Sequence, residues 1–208
     1  MTAKGRYVTV ERLDPMKHGE ALWREVGGLD KADFWRWMPD GPFEDRDSFE
    51  AVLSAKADSK DPLFHAVVDN ESGEALGHAS FMRIEPKHRV IEVGGIMFGP
   101  SLRQTRGATE AMYLMAKHAF EDLGYRRYEW KCNALNEPSR RAALRFGFTF
   151  EGVFRQHMIV KGVNRDTAWF SMLDSEWPAR KAAFERWLDS ANFDPEGRQL
   201  TSLSSSPG

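Results

Sequence analysis

The chain reads as an α/β fold with a mostly antiparallel sheet, flanked by helices, whose middle contains a strand–helix–strand crossover. Three observations lead there. Apolar residues within 104–123 recur at spacings of three and four, residues 126–132 alternate without error between polar and apolar, and the segments succeed one another as strand, helices, three strands, helix, strand, helix, two strands.

The elements follow in order. "RYVTVERL" (6–13) is a first strand, and "PMKHGEALWREVGG" (15–28) a helix opened by Pro15 and closed by glycines. "DFWRWMPDGPF" (33–43) is aromatic and broken by two prolines, which predicts a loop or short turns. Asp47 to Ala57 is helical in pattern, 62–69 and 74–85 are strands joined across "ESG", and 88–98 is a further strand interrupted by Gly94 and Gly95. The helix 104–123 buries Ala108, Ala111, Met112, Met115, Ala119 and Leu123, leaves Glu110, Lys117 and Glu121 on its other side, and ends at Gly124. In 126–132, Tyr128, Trp130 and Cys132 share one face and Arg127, Glu129 and Lys131 the other. Asn136 caps a second helix that ends at Gly147; strands at 148–160 and 165–173 meet at "KGVN". A last helix starts near Pro178, and "TSLSSSPG" (201–208) is a disordered tail by composition.

Composition narrows the function. The 208 residues suit one substantial domain with decoration, here 1–177, followed by the C-terminal helix and tail at 178–208. The formal net charge of −2 lacks the basic surplus of a nucleic-acid binder. A single cysteine, Cys132, allows no internal disulfide. There is no apolar run of bilayer length and no signal-peptide block, so a cytoplasmic protein with no membrane partner is expected. The six histidines show no metal-ligand spacing, and no metal is expected.

One stretch points to a ligand. "RQTRGATEA" (103–111) gathers Arg103, Arg106, Thr105, Thr109 and Gly107 where a helix begins. The first amides of a helix have no partner inside it, and the helix dipole adds positive field there, so a phosphate finds donors and charge together. Gly107 lets backbone approach a ligand closely. The competing reading is a capped helix with solvated arginines. The preceding "EVGGIMF" carries paired glycines, which signal a bulge or a backbone left open to a ligand. Rossmann and P-loop patterns are both missing.

This arrangement resembles the GNAT superfamily of acyl-CoA-dependent N-acetyltransferases, whose phosphate loop follows Gln/Arg-x-x-Gly-x-Gly/Ala. Gln104 and Gly107 match; Thr109 stands where glycine or alanine is expected. "NEPSRRAALRFGFTFEGVFRQ" (136–156) and "KGVNRDTAWFSMLDSEW" (161–177) are similar to the RimJ/RimL-type branch, which acetylates protein N-termini and small amines. The resemblance implies acetyl-CoA as co-substrate, its pantetheine arm lying between splayed strands 88–98 and 126–132. It implies contacts to the coenzyme from Ile96, Phe98, Gln104, Thr105, Arg106, Gly107, Ala108, Thr109, Asn136 and Ser139. The Ser139 hydroxyl would meet the thiolate; Asn136 also serves as a plain N-cap, and Ser139 alternatively bonds backbone.

Glu92, on the same face as Gly94 and Ile96 if alternation holds, is a candidate base or a salt-bridged sheet residue. Trp35 and Trp37 fall where relatives build one wall of the acceptor site, or they belong to the core. Cys132 reads as packing, and His65 and His78 as satisfied sheet residues. An α-amine of pKa about 7.8 is neutral in roughly one molecule in seven at pH 7, a lysine in roughly one in 2,500. With no unmistakable base, a peptide N-terminus is the easier acceptor. Two alternatives stand beside acetyl transfer: another donor such as succinyl-CoA, or a CoA-binding regulator without turnover. The acceptor and the oligomeric state are left open.

Overall fold

The computed structural model describes residues 1–205. They form two compact units, Met1–Ile84 with Glu92–Met115, and Glu85–Ile91 with the chain from Ala116 onward.

The first unit contains β1 (Ala3–Lys4), β2 (Val8–Arg12), α1 (Pro15–Val26), a 3-10 segment (Leu29–Trp35), α2 (Arg46–Asp58), β3 (Leu63–Asp69), β4 (Ala75–Glu85), most of β5 (Val90–Phe98) and the start of α3 (Arg106–Lys117). Its strands lie in the order β1-β2-β3-β4-β5, with antiparallel pairing from β1 to β4. Caps set the helix starts. Asp14 accepts from the Met16 amide at 2.9 Å with Pro15 in the first turn, and Asp45 accepts from Ser48 at 2.8 Å. Helices α1 and α2 and the 3-10 segment bury Leu22, Val26, Trp35, Phe43, Phe49 and Leu53 against Phe64, Ala66 and Met97. Phe64 pairs with Ser80 and Ala66 with His78, so these two polar residues of β4 share the face of that apolar cluster.

The second unit continues α3 into a π-helical turn (His118–Asp122), then β6 (Arg127–Asn133), α4 (Glu137–Arg145), β7 (Thr149–Val160), β8 (Val163–Leu173) and α5 (Trp177–Leu188). The strand order is β6-β8-β7, all antiparallel. Tyr128 and Trp130 pack on Phe148 at 5.5 and 5.7 Å between ring centroids, and Phe146 stacks on Phe184 at 6.1 Å. The β7–β8 register shifts twice, between Phe150 and Gly152 and between Phe154 and Met158.

Several expectations need correction. The apolar stripe of α3 is right, but Glu110 is buried rather than solvated, and Leu123 is exposed. The tail is not disordered across 201–205. Leu203 is buried in a 3-10 turn, the Thr201 amide bonds Asn192 Oδ1 at 2.9 Å, and the indole of Trp187 donates to Gln199 at 2.8 Å. One large apolar side chain anchors a segment whose composition suggests none. Residues 206–208 lie outside the described residues.

The polar face of β6 is an ion-pair ladder. Arg127 donates to Glu129 at 2.6 Å and to both carboxylate oxygens of Glu151, Lys131 pairs with Glu129 at 2.6 Å, and Ser171 donates to Glu151 at 2.7 Å. Burial alone would raise the Glu129 carboxyl, but hydrogen bonds from Lys131 and Arg127 and their charges outweigh it and hold it lowered. The Arg127 hydrogen bond chiefly lowers Glu151 as well. The unfolded chain therefore takes up these protons first as pH falls, from about pH 4.3, and the fold loses stability as pH drops further through the lower folded-state values. Urea titrations at a series of pH values should show an acid-side loss that is shallower in E129Q/E151Q; an unchanged slope would contradict the ladder.

Candidate active site

The turn before α3 belongs to the first unit. The Leu102 and Arg103 amides bond the Gly99 carbonyl, and Gln104 adopts a left-handed φ of 61° before the helix starts at Arg106. The Thr105 amide bonds the Leu102 carbonyl at 3.3 Å, so the amides on either side of Gln104 are both taken up by backbone acceptors and close the turn. Gln104 is exposed and Arg106 half-buried, its guanidinium carbon 5.8 Å from the centre of the Tyr7 ring.

Other members of the expected loop have different jobs. The Thr105 hydroxyl donates to the Leu102 carbonyl at 2.7 Å and accepts from the Ala108 amide at 3.2 Å. It is an N-cap, and it removes both its own proton and the Ala108 amide from what a phosphate could use. Thr109 lies one turn inside the helix, buried at 2% exposure, and supplies no loop hydroxyl. Arg103 donates to the Phe98 carbonyl at 2.7 Å and lies over the Phe34 ring at 4.2 Å. Gly107 is constrained by the protein itself: a Cβ there would meet Val8 Cγ1 at 2.8 Å. Glycine is thus required by packing of β2 against the helix start, whatever ligand the turn receives.

β5 breaks at its glycines. Gly95 has φ of 56°, a left-handed conformation that side chains disfavour. The Gly94 carbonyl accepts from Ser80 Oγ at 2.9 Å and the Gly95 carbonyl from His78 Nδ1 at 3.0 Å, both side chains belonging to β4. In a trans peptide the N–H opposes the C=O. The amides of Gly95 and Ile96 therefore turn together, away from those side chains. Simple alternation from Glu92 to Ile96 is broken at this point. Glu92 itself is buried, within 3.3 Å of the Cβ position at Gly94, and ion-paired with Arg83 at 3.2 Å. Ile96 and Phe98 are half-buried.

Of the two tryptophans, Trp35 is a correction. It is fully buried, its indole donates to the Val26 carbonyl at 2.9 Å, and it packs edge-on against Phe43 at 4.9 Å. Trp37 is half-buried, with Arg36 4.9 Å from the centre of its ring.

In the second unit, Asn136 Oδ1 accepts from the Ser139 amide at 3.2 Å and caps α4. Ser139 Oγ accepts from the Trp130 indole at 3.1 Å, so its hydroxyl is oriented by a side chain. Cys132 is buried, and burial raises its thiol pKa, which suits packing rather than nucleophilic chemistry.

The family model described as the acetyltransferase (GNAT) domain matches residues 13–149. The chain belongs to the GNAT acetyltransferase family. Its structure is similar to a GCN5-related N-acetyltransferase from Brucella melitensis, with TM-score 0.95, 50% identity, and coverage of 98% of this chain and 92% of that one. It is also similar to a probable GNAT-family acetyltransferase from Chromobacterium violaceum, with TM-score 0.80, 44% identity and coverage of 86% and 88%. The ribosomal-protein-serine acetyltransferase of Escherichia coli is 33% identical over 84 residues, 40% of this chain and 46% of that protein. The match spans 46–59% of the length of that protein and of two Bacillus subtilis relatives. GNAT acetyltransferases use acetyl-CoA as co-substrate. Among the described residues, no helix is long and apolar enough to cross a membrane, and no group of three or more His, Cys, Asp or Glu could hold a metal ion.

Proposed function

We propose that this GNAT protein moves the acetyl group of acetyl-CoA onto a primary amine by direct attack. The observation that carries the reading is the break in β5, where two consecutive carbonyls accept from β4 side chains and the Gly95 and Ile96 amides turn the opposite way. Paired amides of this kind stabilise the oxyanion that develops as an amine adds to a thioester. The pantetheine arm runs along Ile96 and Phe98. The pyrophosphate sits on the turn at Gln104, Arg106 and Gly107, where the first amides of α3 find no acceptor in their own helix.

The neutral amine attacks the thioester carbon, forming the C–N bond as the C–S bond breaks. Glu92, paired with Arg83, accepts the amine proton directly or through water. The departing thiolate takes up a proton, which the resemblance assigns to the Ser139 hydroxyl and solvent then restores; within its own unit that hydroxyl accepts from the Trp130 indole and neighbours the Cys132 thiol. Both reactants being bound supplies much of the acceleration, and no covalent enzyme intermediate is required.

The acceptor is a peptide N-terminus or another weakly basic amine. Glu92 is committed to a salt bridge, so an acceptor already partly neutral at pH 7 asks less of it. Likeness to a ribosomal-protein-serine acetyltransferase supports that class. Measuring CoA release across an amine library, with mass spectrometry of products, tests the reading. N-terminal peptides should react best, and Ser139→Ala should lower kcat roughly 100-fold with little change in KM. Reaction confined to lysine side chains would overturn the acceptor class. A preference for succinyl-CoA would overturn the donor. Tight coenzyme binding with no thiol released would make the chain a regulator.

A further inference from the structure

Two adjacent glycines are the softest dipeptide on which to mount a pair of catalytic amides, because neither residue resists rotation of the peptide between them. Something else must hold those peptide planes, and a buried chain of polar groups lies behind them. His78 and Ser80 have no exposed surface, on a face of β4 shared with an apolar cluster, where polar side chains are costly unless bonded. Both are bonded to the same short piece of β5.

The hydrogen-bond directions follow. A carbonyl oxygen only accepts, so His78 Nδ1 carries the ring proton toward Gly95. Nε2 is then the acceptor, and Lys56 Nζ lies 3.3 Å from it. Lys56 is ion-paired with Asp40 at 2.6 Å and sits between the Trp35 and Phe64 rings, 5.6 and 5.4 Å from their centres. Burial holds the His78 imidazole well below its ordinary pKa, the neighbouring ammonium adding to the effect. His78 is therefore neutral at physiological pH, with its tautomer set by a donor on one side and an acceptor on the other.

We infer that Asp40, Lys56, His78 and Ser80 are positioning residues for acyl transfer, clamping the Gly94 and Gly95 carbonyls so that the Gly95 and Ile96 amides stay aimed at the thioester oxygen. Asp40 orients Lys56, Lys56 orients the imidazole, and the imidazole and the serine hydroxyl each hold one peptide plane. This rests on the oxyanion role given to those amides above, and it assigns a task to polar residues that touch neither substrate.

The test uses full-length variants, with kcat and KM from CoA release and acetyl-CoA affinity from calorimetry. His78→Leu should lower kcat about 30- to 100-fold and Ser80→Ala about tenfold, while acetyl-CoA affinity moves less than about threefold. His78→Asn, whose amide can still donate to Gly95, should return kcat to within about fivefold of wild type. Lys56→Met should be impaired, and K56M/D40N less so, because the single change strands a largely buried carboxylate. A kcat within twofold of wild type for His78→Leu or Ser80→Ala overturns the clamp, as does His78→Asn no better than His78→Leu. Should His78→Leu lack a cooperative thermal transition, Ser80→Ala, which removes one oxygen, decides. Failure of the underlying function is distinguishable: wild type itself would then bind no acetyl-CoA or release no CoA.

Discussion

Trp35→Ala is expected to destabilise the fold by about 3–5 kcal/mol, the range for emptying a fully buried large aromatic site. Trp35 has no exposed surface, touches Phe43 and Phe49 edge-on at 4.9 and 6.4 Å between ring centroids, and satisfies the Val26 carbonyl at the end of α1. Removing it opens a cavity between α1, α2 and the 3-10 segment and also strands a buried acceptor. Trp35→Phe should recover the packing but not the hydrogen bond, leaving a deficit of about 1–2 kcal/mol. Urea unfolding of both variants separates the two contributions. A change below about 1 kcal/mol in Trp35→Ala would mean that this side chain is not a core element.

Glu110→Ala should cost about 3–4 kcal/mol, an unusual figure for a charged residue on an amphipathic helix. Glu110 reaches from the first turns of α3 to the segment entering β2, accepting from the Arg6, Tyr7 and Val8 amides at 2.7, 2.6 and 2.8 Å. Hydrogen bonds to an ionised acceptor are among the stronger ones, and its loss leaves three backbone donors near the core without their carboxylate. Glu110→Gln should be intermediate, since an amide offers one acceptor oxygen and presents an N–H₂ to donors. Hydrogen exchange would localise the effect: the Arg6, Tyr7 and Val8 amides should lose protection before the rest of the first unit. Equal protection in variant and wild type would contradict it.

These two residues also mark where sequence and structure part. Local signals were legible wherever the physics is local. Pro15, Asn136 and Gly147 announced helix ends, and the alternation of 126–132 produced the expected buried face of β6. Helical periodicity sorts residues only into apolar and polar, so it sent Glu110 to solvent; the partners that bury it stand about a hundred positions away. The same limit applies to Thr109 and Thr105, whose types suit a phosphate loop equally well as a buried helix position and a cap. For Trp35, the two prolines that follow it suggested a loop or short turns, and a 3-10 segment formed; composition could not say that one indole would fold inward while Trp37 stayed half-buried. The break at Gly94–Gly95 was visible as paired glycines. Its support was not, because Asp40, Lys56 and His78 come from a loop, a helix and a strand with no spacing to link them.

The β7–β8 hairpin has a bearing on how the protein survives at high concentration. β7 closes the strand order of its unit and exposes Phe150, Phe154 and Ile159, a combination that ordinarily invites fibril growth by edge-to-edge stacking. Its two register shifts interrupt the straight row of donors and acceptors that an incoming chain would need. A foreign strand could zip up only along short runs before losing step, and this irregularity shields an otherwise sticky margin from self-templating.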